Sequence, residues 1–311
     1  MMSHCISFDP ASRSACRSRS MSRNPLSLIR VGSALALLAA LLAFAMRAGA
    51  QPVPPLPHFT TAPDAPASPA ASGSVRFAPV PFAVGEELVY RATFGGLPAG
   101  SARMRVNGID TIRGRPAYHV VFAIDGGIPF FRVHDRYESW IDVETLASLR
   151  HTQNISEGRY KRSTRYEIYP ERAVFQEGDE AAQPSVSHPL DDGSFIYAAR
   201  VAGVQVGERR VDDRYFRPDR NPVVLTGLRH EDVTVGAGSF PATVVKPSIH
   251  ANGLFSEGGN AEVWFSDDAA RYPLQVKSHF AHFSLTLSLQ SITAGDSSAA
   301  GRSSVTATDK P

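Results

Sequence analysis

Three pairs of adjacent aspartates are the residues in this chain that could support acid–base chemistry: Asp191-Asp192, Asp212-Asp213 and Asp267-Asp268. A glycosidase needs two carboxyl groups about 5–9 Å apart across a cleft. Neighbouring carboxylates on a strand point to opposite faces, and in turns they accept hydrogen bonds from backbone N–H groups. The pairs therefore predict turns. A glycan or lipid hydrolase that uses Glu138 or Asp142 as an acid or base is kept as an alternative.

Other catalytic and metal-binding patterns are missing from the sequence. It contains no Gly-x-Ser-x-Gly, no glycine-rich phosphate loop and no His-Glu-x-x-His. His279 and His282 are three residues apart, and on a strand this spacing places them on opposite faces. We therefore predict no enzymatic activity, no cofactor, no catalytic residue and no metal site.

Aromatic and basic residues form the more informative pattern. Trp140-Ile-Asp142 and Trp264-Phe-Ser-Asp267 each place a tryptophan just before an acidic turn. The simplest interpretation is a core tryptophan beside a hairpin, and the alternative is an indole that faces a ligand. The candidate ligand-binding residues are Tyr90, Phe94, Tyr137, Trp140, Arg159, Lys161 and Trp264.

The bases in this set suggest an anionic ligand. Arg159 and Lys161 follow the predicted strand of Tyr137 by two turns, so a meander would bring all three side chains onto matching faces. Arginine holds phosphate or carboxylate with paired hydrogen bonds, which fits a headgroup or a glycan. The alternative is a solvated ladder of cross-strand ion pairs, each contributing about 0.2–1 kcal/mol.

The elements that carry these residues are mostly strands. Apolar and polar residues alternate over 88–94, 102–106 and 283–289, and similar runs recur at 116–124, 130–141, 147–155, 160–169, 172–176, 206–217, 222–235, 240–250, 261–266 and 273–281. One helix is predicted between Asp191-Asp192 and Gly203. The predicted fold is all-β and mainly antiparallel, a large twisted sheet that forms a closed or half-open barrel with one short helix.

The first 50 residues have the pattern of a secretory signal peptide. Arginines precede an uncharged run over 31–46, and Ala48-Gly-Ala50 follows it. We predict cleavage after Ala50 and a periplasmic location; a membrane anchor is the alternative, but the run is shorter than the roughly 20 residues of a spanning helix. Both cysteines, Cys5 and Cys16, lie before the run. The exported chain would therefore contain no disulfide.

The rest of the chain divides into three segments. Residues 51–81 are rich in proline and predict a disordered linker, residues 82–293 predict a single β-rich domain, and residues 294–311 predict a disordered tail. Without residues 1–50 the chain has 26 basic and 29 acidic residues, a net charge of −3. This balance argues against a nucleic-acid partner.

Several short stretches give the chain a family resemblance: Gly85-Glu-Glu-Leu-Val-Tyr90, Gly95-Gly-Leu-Pro-Ala-Gly100, Tyr137-Glu-Ser-Trp140-Ile-Asp142, Gly158-Arg-Tyr-Lys-Arg162 and Trp264-Phe-Ser-Asp267-Asp268. In their order and spacing they resemble the uncharacterised exported bacterial family known as domain of unknown function 3108. The resemblance covers about residues 82–290. It implies export and a β-rich fold, and it implies no activity or catalytic residue. The tryptophan hairpins also look like those of periplasmic lipoprotein carriers, whose half-open barrels hold acyl chains.

Together these features predict a non-enzymatic exported protein that binds a lipid-like or amphipathic molecule of the cell envelope. A structural or interaction module with a protein partner in envelope assembly is the first alternative. The hydrolase described above is the second.

Overall fold

The computed structural model describes residues 77–128, 130–249, 261–280 and 283–296. The predicted signal peptide, most of the predicted linker and the tail from residue 297 lie outside the described residues. Phe77 and Val80 pack against the core, and the backbone N–H of Asp296 donates to the carbonyl of Val84. The packed region thus extends a few residues beyond 82–293 on both sides.

The described residues form fourteen strands: β1 Glu87–Phe94, β2 Leu97–Ile112, β3 Arg115–Ile128, β4 Phe131–Asp142, β5 Ser148–Glu157, β6 Tyr160–Tyr169, β7 Val174–Glu177, β8 Gln183–Pro184, β9 Arg209–Asp212, β10 Val223–Val235, β11 Gly238–Ile249, β12 Glu262–Ser266, β13 Pro273–Phe280 and β14 Phe283–Thr293. Each pair of neighbouring strands is antiparallel. The predicted all-β antiparallel class is confirmed.

The strands belong to one sheet in the order β8-β7-β6-β5-β4-β3-β2-β1-β14-β13-β12-β11-β10-β9. Pairing of β1 with β14 joins two meanders, one from each half of the chain. The end strands β8 and β9 are not paired with each other, so the sheet is open. A closed barrel, one of the two predicted forms, is therefore excluded. The end strands are short, at 2 and 4 residues, and they offer little backbone for a closing ladder.

Buried and exposed residues alternate along β1, so one side of this strand faces the core. On β1, Leu88 and Tyr90 are buried, whereas Arg91 between Tyr90 and Ala92 is exposed. The larger core joins residues of β1–β4 with Val244 on β11, Leu274 on β13 and Leu289 on β14. A second core lies on the opposite face of β11 and contains Val245, Phe265 and the aromatic residues of β6 and β7.

The predicted helix is present as α1, Ser194–Ala202. Gly203 ends it in the left-handed conformation, with φ of 58°, and its N–H donates to the carbonyl of Ala199. Phe195 and Ala199 pack into the second core, and Tyr197 reaches the first. The helix therefore lies where the two cores meet.

Two elements differ from prediction. The strand predicted over 206–217 is reduced to β9, and a short 3-10 turn, Pro218–Arg220, occupies part of the connection to β10. The two-residue strand β8 was not predicted. Pro247 lies on β11, which is an interior strand. Its pairing with β12 spans only Ala242 to Val245, so Pro247 lies beyond that ladder and removes no hydrogen bond from it.

Candidate functional site

A cavity of about 380 Å³ lies between the C-terminal end of α1 and strands β10–β12. Its floor is apolar, and Val204, Leu225, Val245 and Phe265 line it. Small-molecule sites have volumes of about 300–1,000 Å³ and combine an apolar lining with a few polar groups. This cavity is at the lower end of that range.

The rim of the cavity carries the polar groups. Thr243 Oγ1 donates to Asp267 Oδ1 at 2.6 Å and lies 3.1 Å from His230 Nδ1. His230 Nδ1 is also 3.3 Å from Asp267 Oδ2, and its side chain is 59% exposed. In the described part of the chain His230 Nε2 has no hydrogen-bond partner. It is thus a group that a bound molecule can contact.

A turn closes the rim. Asp268 Oδ1 accepts hydrogen bonds from the Ser266 hydroxyl and from the backbone N–H of Ala270 and Arg271. Arg271 Nη1 in turn donates to the carbonyl of Arg200 at the end of α1, at 3.1 Å. The second aspartate of the predicted acidic turn therefore serves the backbone, whereas the first, Asp267, faces Thr243.

The threonine–histidine–aspartate group does not have the geometry of an activated nucleophile. Activation requires the hydroxyl to give its proton to the histidine, while the aspartate holds the other ring nitrogen. Here Thr243 donates its only proton to Asp267. Thr243 Oγ1 and Asp267 Oδ2 both lie near the same ring nitrogen of His230, Nδ1. The arrangement suits hydrogen bonding to a ligand better than acyl transfer.

A second polar group lies at the other end of α1, inside the molecule. His151 is fully buried, with Nδ1 3.0 Å from the carbonyl of Glu138 and 3.5 Å from Asp191 Oδ1. Its Nε2 lies 3.7 Å from Asp192 Oδ2. Gln153 donates to the same Asp192 oxygen at 2.8 Å. The imidazole is thus held between two carboxylates.

The charges of this network reinforce one another. Burial alone would lower the pKa of His151, but Asp191 and Asp192 raise it above its ordinary value. Burial would raise the pKa of Asp192, but His151, Arg220 and the Tyr215 hydroxyl hold it well below its usual range. The Tyr215 hydroxyl donates to Asp192 at 2.5 Å. The folded protein therefore favours an imidazolium beside an ionised Asp192.

Asp191 ties this network to the helix. Its Oδ1 accepts from the Ser139 hydroxyl at 2.6 Å and from the backbone N–H of Gly193 and Ser194 at 2.8 and 2.9 Å. The turn predicted at Asp191-Asp192 is therefore stabilised by Asp191 just before α1, whose N-cap position is Gly193. Ser139 also donates its proton to a carboxylate, and so it is not activated by His151.

Three of the predicted ligand-binding residues lie in the packed interior of the sheet. Tyr90 is 2% exposed, and its hydroxyl donates to the carbonyl of Pro273 at 2.8 Å. Trp264 is buried, and its indole N–H donates to Glu231 at 2.5 Å. Phe94 is buried at the end of β1. None of the three lines the cavity.

Tyr137 and Trp140 are on opposite faces of β4. Tyr137 is buried, with its ring 6.2 Å from that of Phe122. Trp140 stacks on His119 with ring centroids 4.5 Å apart, and its indole N–H donates to Asp110 at 2.8 Å. The structure therefore does not bring the five aromatic candidates together around one space.

Arg159 and Lys161 are exposed at the turn between β5 and β6. The prediction that these two side chains share a face with Tyr137 is wrong, because Thr164, Tyr166 and Ile168 occupy the inward positions of β6. Alternation along β6 then directs Lys161 to the outer face.

The carboxylates of the hydrolase alternative already have structural partners. Asp142 Oδ1 accepts from the backbone N–H of Glu144 and Thr145, and Oδ2 is 2.9 Å from Arg115. Glu138 lies 2.7 Å from His119 and also binds Arg136. Burial raises the pKa of Glu138, but Arg136 and His119 lower it overall, which does not suit a general acid.

The sequence indicated the turn at Asp267-Asp268 but missed the cavity beside it. His230, Thr243 and the helix end are far apart in the chain, so their proximity depends on the strand order. A signal for the inner network does exist: Ser139, His151 and Gln153 occupy inward positions of strands, where apolar residues are expected. Such polar residues on a buried face indicate a hydrogen-bonded network.

Within the described ranges, no group of three or more His, Cys, Asp or Glu side chains is placed to hold a metal ion. No helix in the same part of the chain is long and apolar enough to cross a membrane.

Comparison with protein families identifies the class of this protein. The family described as "Protein of unknown function (DUF3108)" matches residues 89–289, which include the whole sheet from within β1 to within β14. The chain belongs to this family, as the resemblance predicted. No curated protein matches it.

Solved structures give weaker similarities. A β-barrel-like protein of domain of unknown function DUF1849 from Brucella abortus is 10% identical, with a TM-score of 0.48, and covers 70% of this chain and 100% of its own. A candidate lipoprotein from Parabacteroides distasonis is 10% identical with a TM-score of 0.32, covering 69% of this chain and 98% of its own. A candidate exported protein with a YmcC-like fold from Bacteroides fragilis is 12% identical with a TM-score of 0.28, covering 69% of this chain and 98% of its own. These likenesses indicate no activity or ligand.

Proposed function

We propose that this protein is an exported, non-enzymatic binding protein, and that the cavity beside α1 holds a small lipid-like or amphipathic molecule of the cell envelope. The observation that carries the proposal is the mixed lining of the cavity. An apolar floor of Val204, Leu225, Val245 and Phe265 accepts an apolar tail, and a polar rim contacts a headgroup.

The rim contributes both kinds of hydrogen-bonding group. His230 Nε2 faces no partner among the described residues, and Arg271 brings a guanidinium to the opposite side of the opening. Asp267 supplies a carboxylate, which is held in place by Thr243. These three side chains fix the orientation of a polar group, and the apolar floor contacts the tail.

The location of the protein in this proposal rests on its first 50 residues. The arginine-rich segment, the uncharged run over 31–46 and the small residues before Gln51 support export through a cleavable signal peptide. A periplasmic protein meets amphipathic molecules of the envelope in transit between membranes. Binding without turnover agrees with the hydroxyl groups of Thr243 and Ser139, both of which donate to carboxylates.

The proposal is tested by native mass spectrometry of protein purified without detergent, followed by solvent extraction of any bound molecule. Ala199→Phe places a ring in the cavity from the helix side and is expected to abolish the bound mass. Thr243→Val keeps the shape of the side chain but removes the hydroxyl that positions Asp267. It is expected to weaken binding of the same molecule.

Ala123→Phe is the matched control, because Ala123 is a half-buried residue of β3 that does not line the cavity. This variant is expected to retain the bound mass. An unloaded wild-type protein that also fails to bind fluorescent fatty-acid analogues would contradict the proposal. Equal loading of Ala199→Phe and Ala123→Phe would place the ligand elsewhere.

A further inference from the structure

Three hairpin turns at one end of the sheet carry an unusual set of side chains. Because neighbouring strands run in opposite directions, the β1–β2, β3–β4 and β5–β6 turns lie at the same end. We call the exposed side chains of Leu97, Phe130, Arg132, Arg159 and Lys161 at these turns the tip surface.

The tip surface has the two most exposed large apolar side chains in the part of the chain that the structure describes. Phe130 has a relative exposure of 105%, and Leu97 is 72% exposed. Phe130 also has a φ of 71°, a conformation that disfavours bulky residues and suits glycine or asparagine. Neither folding nor solubility explains an exposed phenylalanine in this conformation, and such an outlier points to a functional surface.

Contacts between the turns hold these side chains close together. The ring of Phe131 occupies the space beside Gly158, where an added Cβ would lie 2.8 Å from the ring. The backbone N–H of Gly158 donates to the carbonyl of Arg132 at 2.7 Å. The β3–β4 and β5–β6 turns are thus joined, and Gly100 pairs with Gly126 to bring the β1–β2 hairpin alongside.

The basic residues of the tip surface are uncompensated. Within the described ranges, the side chains of Arg132, Arg159 and Lys161 form no ion pair. Bases further along the same strands do form them: Arg136 lies 2.9 Å from Glu138, and Arg165 lies 2.6 Å from Glu167.

Exposed acidic residues at this end are either paired or to one side, and Asp135 and Glu157 on β4 and β5 are buried. Asp125 lies 2.8 Å from His134, which gives its carboxylate a local partner. Exposed Asp179 and Glu180 lie in the next turn, after β7, and they limit the tip surface on that side. Among the described residues at this end, the exposed apolar side chains and the bases without an ion pair are therefore grouped at the first three turns.

We propose that the tip surface docks this protein on an anionic lipid bilayer. Phe130 and Leu97 enter the interfacial region, and the three bases contact the headgroup phosphates, which is the combination that peripheral membrane binding requires. Two isolated apolar side chains at the ends of turns are too small an area for a stable protein–protein interface. The unpaired bases are complementary in charge to an anionic lipid surface. This docking is independent of the cavity and of the proposed ligand.

The test is flotation of the purified chain that begins at Gln51, the form left by the proposed cleavage, with two kinds of vesicle: phosphatidylcholine alone, and equal parts of phosphatidylglycerol and phosphatidylcholine. Wild-type protein is expected to float only with the anionic vesicles. The R132Q/R159Q/K161Q variant is expected to bind about a hundredfold more weakly, since each base near an anionic surface contributes about fivefold. Leu97→Ser with Phe130→Asn is expected to reduce binding as well, and asparagine tolerates the backbone at residue 130.

Two control variants remove equivalent groups elsewhere. R103Q/R105Q/R209Q removes the same net charge from exposed positions on β2 and β9. Val206→Ser with Val211→Ser removes two exposed apolar side chains, which are 41% and 48% exposed. Both controls are expected to bind like the wild type. The proposal is overturned if wild-type protein ignores anionic vesicles, if it binds neutral vesicles equally, or if tip and control variants behave alike.

Discussion

The buried guanidinium of Arg200 forms two hydrogen bonds with the carboxylate of Glu86, from Nη1 to Oε1 at 2.6 Å and from Nη2 to Oε2 at 3.0 Å. Its Nη2 also donates to the carbonyl oxygens of Pro81 and Ala270, each at 2.9 Å. This one side chain joins α1 to the segment before β1 and to the turn before β13. It therefore holds the helix that forms one wall of the cavity.

Removal of one partner of this ion pair is expected to be strongly destabilising. Arg200→Met leaves Glu86 buried without its partner, and the free energy of unfolding should fall by about 3–5 kcal/mol. The double variant R200M/E86L leaves no unpaired charge and should lose less. Denaturant unfolding followed by circular dichroism measures both.

Arg229→Met is the control for an exposed pair, because Arg229 is 41% exposed and lies 2.8 Å from Glu262. It should cost no more than about 1 kcal/mol. If the double variant were as unstable as Arg200→Met, the loss of unfolding free energy would come from the packing of the Arg200 side chain and not from the unpaired carboxylate of Glu86.

The buried His151 should make stability depend on pH. Its pKa is raised in the folded protein by the two aspartates despite burial, from an ordinary value of 6.5. The stabilisation is therefore fully present below pH 6.5 and is lost as the pH rises through the folded pKa. The difference in unfolding free energy between wild type and His151→Gln should shrink as the pH rises over that window.

Thermal unfolding at several pH values measures this difference. His188 is exposed, so the His188→Gln variant should follow the wild-type pH dependence throughout. A constant gap between wild type and His151→Gln from acid to alkaline pH would mean that the pKa of His151 is the same in the folded and the unfolded protein.

Two glycines of β2 and β3 should respond in opposite ways to alanine. A Cβ on Gly126 would lie 2.3 Å from the carbonyl oxygen of Ala99, so Gly126→Ala should destabilise the protein by about 1–3 kcal/mol. At Gly108 no atom lies within 4 Å of an added Cβ, and Gly108→Ala should be neutral or stabilising by up to about 1 kcal/mol. Chemical denaturation compares the two, and equal effects would refute the close approach of the first two hairpins.

The two tryptophans should differ in their access to solvent. Trp264 is 4% exposed within the larger core, whereas Trp140 lies on the outer face of β4. In Trp140→Phe the fluorescence comes from Trp264 and should be poorly quenched by iodide. In Trp264→Phe it comes from Trp140 and should be quenched readily. Trp264→Phe also loses the hydrogen bond to Glu231 and should cost about 1 kcal/mol of stability. Similar quenching in both variants would contradict the different placement of the two indoles.

Much of the fold was readable from the alternation of side chains. The period of two over residues 88–94 predicted β1, and the corresponding pattern over 283–289 predicted β14, although it could not show that these two strands pair. The helix was readable because a capping aspartate, an apolar face and Gly203 occur in the right order. Residues 206–217 were misread because alternation in a short segment does not distinguish a strand from an extended connection.

The candidate site was much less predictable. The aromatic residues chosen from the sequence are those with large apolar surface, and this property also describes core residues such as Tyr90 and Trp264. The cavity instead depends on Thr243 and His230. Thr243 faces it by regular alternation with Val245 on β11, whereas His230 follows a bulge between Gly227 and Arg229 that shifts the register of β10. Local pattern does not reveal a register shift of one residue, yet such a shift exchanges the two faces of a strand.

The amino-acid sequence by itself determined the antiparallel β class, the helix α1 and the family, because these depend on local periodicity and on the order of short motifs. Only the tertiary structure decided that the sheet stays open, which faces the bases and tryptophans occupy, and where the cavity lies. Those features arise from contacts between residues far apart in the chain, such as Glu86 with Arg200, and their free energies are expressed only when the strands have been assembled in order.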